Sequence, residues 1–134
     1  SALHVACALL TGGHRVGIDV EELIHPTRAI PLMNRYCTAR EKATFYTASD
    51  ENIAQDFTHI WTVREAMAKQ DGHGMPLRYD ATVIPSDLRV TSYSVADNGA
   101  ILSLCFPATI SDDLVHILPQ SLPLHCLKNS LPAT

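Results

Sequence analysis

The sequence predicts an α+β fold, an antiparallel sheet from N-terminal and C-terminal hairpins packed against a helical middle. Three observations carry that prediction. Strand-like runs flank Gly12-Gly13 near the start and Asp97-Asn98-Gly99 further on, both hairpin turn signals. Between them, Phe57, Ile60, Trp61, Met67 and Ala68 recur near helical spacing. The 134 residues, 46% apolar and 18% charged, have the composition of one globular domain.

The elements follow in order. Leu3–Leu10 (LHVACALL) reads as a strand, apolar nearly throughout, and Thr11–His14 as its turn. Arg15–Leu23 (RVGIDVEEL) returns as a second strand. Val16, Ile18 and Val20 alternate there with Gly17, Asp19 and Glu21, so the first set suits a buried face and the second the opposite one. Pro26 fits a helix start, and the short helical stretch after it reads as interrupted by Pro31. Thr38 followed three residues later by Glu41 is a capping-box signature. A longer helix then runs to Gly72, a good stop. RVTSYSV and AILSLCF are the strands around the second turn. The domain is expected over residues 1–106, with 107–134, rich in proline and without a clear period, as an irregular tail.

Composition narrows the function. A net charge of −4 and a pI near 5.9 argue against general nucleic-acid binding, which needs a basic face. Arg28, Arg35, Arg40, Lys42, Arg64 and Lys69 nevertheless fall in one central stretch and leave room for a local anion site. No apolar run is long enough to span a membrane, and no charged leader precedes the start. Cys7, Cys37, Cys105 and Cys126 show no paired spacing and read as reduced thiols of a cytoplasmic protein, with Cys7 and Cys105 buried in strands. His59 and His73 read as surface histidines.

Two carboxylates one strand repeat apart, Asp19 and Glu21, repel each other unless their face meets water or something positive. On the long helix, Trp61, Glu65 and Lys69 stand four apart on one stripe. If that helix crosses the strand, Glu65 joins Asp19 and Glu21. Three carboxylates suit a hard, oxygen-loving cation rather than zinc. Mg²⁺ keeps waters and completes its shell with substrate phosphates, which Arg64 and Lys69 also suit. The implied chemistry is metal-assisted transfer on a phosphate ester or anhydride. Spacing alone leaves the plainer readings open: a solvated strand face, and a surface Glu65–Lys69 pair.

Together the two segments resemble the 4′-phosphopantetheinyl transferase superfamily, whose pattern is GIDxE followed by WxxKEAxxKxxGxG. Gly17, Ile18, Asp19 and Glu21 match the first motif; Trp61, Glu65, Ala66, Lys69, Gly72 and Gly74 match the second. Thr38–Phe45 (TAREKATF) is similar to the family's intermediate segment, and Ser1–Leu9 to the strand upstream of GIDxE in surfactin-synthetase-type members. The resemblance covers about Ser1 to Phe106. Arg64 departs from the family's usual Lys, keeping the charge but not the geometry.

The resemblance implies transfer of the 4′-phosphopantetheine arm of coenzyme A to a serine of an acyl or peptidyl carrier protein, with 3′,5′-ADP as the other product. Asp19, Glu21 and Glu65 would hold Mg²⁺; Glu65, or a water it orients, would be the base; Lys69 and Arg64 would meet phosphate. It also implies that the chain corresponds to the second half of a long member, a fragment or a split chain, working as a homo-oligomer or beside an N-terminal half. The alternative is a non-catalytic carrier-protein-binding or scaffold half-domain, and a further rival is Mg²⁺-dependent hydrolysis of a nucleotide pyrophosphate.

Overall fold

The computed structural model describes residues 13–44, 50–72, 79–95, 97, 99–111 and 125–126. Its elements are β1 (Gly17–Glu22), α1 (Pro26–Tyr36), α2 (Ala39–Ala43), α3 (Asp50–Asp71), β2 (Leu88–Val95), β3 (Ala100–Pro107) and β4 (His125–Cys126). The expected Leu3–Leu10 strand with Cys7, and His73 and Gly74, lie outside the described residues. The strands form one antiparallel sheet in the order β1-β3-β2-β4. The fold is the α+β arrangement expected, an antiparallel sheet against helices. β2 and β3 make the predicted hairpin, with Asp97 at φ 54° in its turn, a conformation Asp tolerates better than most residues. Within the stretch expected to be irregular, β4 adds two residues to the edge of β2, pairing Tyr93 with Cys126 and Ser94 with His125. Among the described residues no helix is long and apolar enough to cross a membrane.

α3 packs on the sheet, and on the face the alternation pattern did not favour. Gly17 and Asp19 are buried while Ile18 and Val20 are only half-buried. The reason is the missing side chain at Gly17. A Cβ there would stand 1.9 Å from the Ala66 carbonyl oxygen and 2.4 Å from the Gln70 nitrogen, so the strand touches the helix backbone to backbone. The expectation that Val16, Ile18 and Val20 mark the buried side is therefore corrected. Their face is the one turned from α3, because close approach rather than hydropathy decides the contact.

The core gathers Phe57, Ile60, Val63, Ala66 and Met67 of α3 with Ala29 and Met33 of α1, Ile24, Ala81 and Cys105. Each large apolar side chain fully buried here contributes about 1.5–3 kcal/mol relative to exposure. Trp61 is half-buried and packs on the Phe57 and Tyr36 rings, both centroids at 5.8 Å. α1 begins at Pro26 as predicted, with His25 Nδ1 accepting from the Thr27 N–H at 3.2 Å. It is not interrupted by Pro31, which sits inside a continuous helix on an exposed position, where the lost hydrogen bond faces water.

Thr38 and Glu41 form the capping box. Glu41 does more than cap. It is 0% exposed, accepts from the Thr38 N–H at 2.9 Å and the Ala81 N–H at 2.8 Å, and pairs with Arg64 of α3. Asp80 accepts from the Thr38 hydroxyl at 2.6 Å and from the Thr82 N–H at 2.8 Å. Burial alone would raise the Asp80 carboxyl, but these hydrogen bonds outweigh it and hold it below its usual range. α2, α3 and the loop before β2 are thus tied at one buried point. α3 stops at Gly72, whose φ of 83° suits glycine, and a Cβ there would meet the Arg15 guanidinium. Between α3 and the sheet, the hydroxyls of Thr62 and Ser103, and of Ser103 and Ser92, are each 2.8 Å apart, and Thr62 donates to the His59 carbonyl at 2.9 Å.

Candidate functional site

β1 and α3 bring Asp19 and Lys69 together. Lys69 Nζ reaches Asp19 Oδ1 at 2.8 Å, a cross-element ion pair rather than the plain helix-surface pair that spacing alone allows. Asp19 is 7% exposed, and its second oxygen, Oδ2, is buried with no hydrogen-bond partner. A buried carboxylate oxygen left unsatisfied is costly, which makes it a strong pointer to a missing cation or donor.

The electrostatics tie the acids to one another. Burial raises the Asp19 carboxyl, opposed by the hydrogen bond and charge of Lys69. Burial and then the Asp19 charge raise Glu21, against Lys69 and Arg28. Burial and the charges of Asp19 and Glu21 raise Glu65, against Lys69 and Arg64. All three acids sit in one local field that favours protonation, or a cation, over bare charge. Among the described residues, no three His, Cys, Asp or Glu side chains are arranged so that they could hold a metal ion together.

Arg64 is not brought to this cluster. Its side chain is 1% exposed and pairs with Glu41. Successive helix residues differ by about 100° around the axis, so Glu65 can face β1 while Arg64 enters the core. Buried against Glu41, Arg64 ties α3 to α2. Lys69 remains, with its side chain 49% exposed. Burial pushes the Cys37 and Cys105 thiols up to about 12, so neither is a ready thiolate. His59, expected at the surface, is instead buried, and burial pushes its imidazole down to about 4.

Sequence reasoning matched Gly17 to a pattern without seeing what it does. It sets how close β1 lies to α3, and so how close Asp19 lies to Lys69. The available signal was a glycine inside a strand, which often marks close backbone approach. Ala66, also in that contact, is fully buried. Arg28 was noted only as part of a basic stretch, yet its charge reaches Glu21.

No curated protein and no solved structure matches the chain. A family model does, over residues 15–116, which contain the strand bearing Asp19 and Glu21, the helix bearing Glu65 and Lys69, and the β2–β3 hairpin. That match covers most of the chain, which therefore belongs to the 4′-phosphopantetheinyl transferase superfamily.

Proposed function

We propose that this chain transfers the 4′-phosphopantetheine arm of coenzyme A to a serine hydroxyl of an acyl or peptidyl carrier protein, with Mg²⁺ at Asp19, Glu21 and Glu65. The observation that carries the reading is the buried, unpartnered Oδ2 of Asp19 beside two further carboxylates in a shared field. An all-carboxylate donor set fits a hard divalent cation that keeps waters and phosphate oxygens in its shell. When bound, Mg²⁺ would neutralise the charge that develops on a diphosphate as its anhydride bond breaks.

The protein's own residues have the following tasks. Asp19, Glu21 and Glu65 hold the cation. Lys69, half-exposed, meets a phosphate oxygen of the coenzyme. Glu65, directly or through a water, accepts the proton of the incoming serine. The serine oxygen forms the new bond to phosphorus, the bridging bond of the diphosphate breaks, and 3′,5′-ADP leaves with the electron pair. A second copy of the chain, or an N-terminal half, would complete the grip on the nucleotide end, and a cytoplasmic setting suits these substrates.

The test is mass spectrometry of an apo carrier protein incubated with the chain, coenzyme A and Mg²⁺. Gain of the phosphopantetheine mass supports the proposal. Nucleotide release without carrier modification would replace it with pyrophosphate hydrolysis, and neither product would leave a non-catalytic carrier-binding domain.

A further inference from the structure

The Asp19–Lys69 pair joins unequal partners: Asp19 is almost wholly buried, while the Lys69 side chain is 49% exposed. Asp19 Oδ1 is held by the ammonium at 2.8 Å, and Oδ2 has no partner. A buried carboxylate needs a positive neighbour, and the flexible four-carbon stem of lysine lets its head move between two places. Glu21 and Glu65 also feel the Lys69 charge.

We propose that Lys69 is a built-in occupant of the cation site: its ammonium balances Asp19 until a divalent ion displaces it, and only then is it free to meet a phosphate. This rests on the reading of Asp19, Glu21 and Glu65 as the cation-holding set, and adds an order of events to it. A divalent ion near Asp19 places two positive charges beside the ammonium and takes over the oxygen it held. Competition for one carboxylate is then a coupling between cation binding and lysine release, and coupling of this kind is reciprocal. A diphosphate that engages the released ammonium favours the cation-bound state, so cation and diphosphate assist each other.

The experiment uses the full chain and Mn²⁺ as a spectroscopic probe, with wild type, Asp19→Asn, Lys69→Met and Lys69→Arg compared by EPR titration. Lys69→Met keeps an apolar stem for packing and removes the charge. It is expected to bind Mn²⁺ tighter than wild type by roughly 5- to 20-fold, the lower part of the usual coupling range. Lys69→Arg is expected to stay near wild type. In parallel, acylation of lysine amines is followed by peptide mapping, and Mg²⁺ is expected to speed modification of Lys69 but not of Lys42. If wild type and Asp19→Asn bind Mn²⁺ equally weakly, the cation site itself falls. If wild type binds through Asp19 while Lys69→Met binds no tighter and Lys69 labelling ignores Mg²⁺, the site stands and the displacement is overturned.

Discussion

Gly17→Ala puts the geometry of the site to a quantitative test. The added Cβ would lie 1.9 Å from the Ala66 carbonyl oxygen and 2.4 Å from the Gln70 nitrogen. Close carbon–oxygen contacts settle at about 3.3–3.6 Å, so strand and helix must part by roughly 1.4 Å or more. Both obstacles are backbone atoms of α3, so no rotamer change relieves the clash, and neither would Ala66→Gly. Overpacking of this kind costs about 1–3 kcal/mol, and we expect the melting temperature to fall by roughly 5–15 °C. Asp19 lies two residues along the same strand and would move away from Lys69 with it. A displacement near 1 Å costs on the order of 10²-fold in rate. Thermal unfolding by circular dichroism, Mn²⁺ titration and the carrier-modification assay read these three effects. A Gly17→Ala protein with wild-type melting temperature and wild-type Mn²⁺ affinity would refute the claim that backbone contact sets the site.

Other expectations follow from the same structure. Asp19, Glu21 and Glu65 have raised carboxyl pKa values in the fold, so their contribution to stability is full below their ordinary values of 3.8 and 4.5 and is lost as pH rises through the raised ones. Mg²⁺ should therefore raise the melting temperature at pH 7.5 and barely change it at pH 4; a shift of equal size at both would contradict this. Asp19→Ala is expected to abolish carrier modification while keeping the circular dichroism spectrum and melting temperature, since it removes carboxylate repulsion and the Lys69 it strands can reach water. Removing one partner of the buried Glu41–Arg64 pair, as Glu41→Ala or Arg64→Ala, should cost about 3–5 kcal/mol in urea unfolding. Arg64→Lys should leave KM for coenzyme A unchanged, and a large rise would return Arg64 to the substrate.

What could be read from the sequence was what local rules govern. The capping box at Thr38 and Glu41, the stop at Gly72, the helix start at Pro26 and the β2–β3 turn depend on neighbours a few residues away, and each was legible. The face of β1 that meets α3 was not. Hydropathy alternation argued for Ile18 and Val20, whereas the contact is decided by what Gly17 lacks. The burial of Arg64 was not legible either, because charge is visible in a sequence and burial is not. Its partner Glu41 is 23 residues away along the chain, and only the fold brings them together. Pairing Asp19 with Lys69 across 50 residues was within reach only as a conditional statement about how helix and strand cross.

The seam of hydroxyls under α3 bears on why Asp19 is left wanting. A hydroxyl has one proton to give. Thr62 gives its own to the His59 carbonyl, which can only receive. Ser103 must then give to Thr62, and Ser92 to Ser103, so the whole row is polarised toward the helix. Ser103 is the cross-strand partner of Asp19, and its proton is already spent in the other direction. The carboxylate's unmet demand is thus preserved by its surroundings.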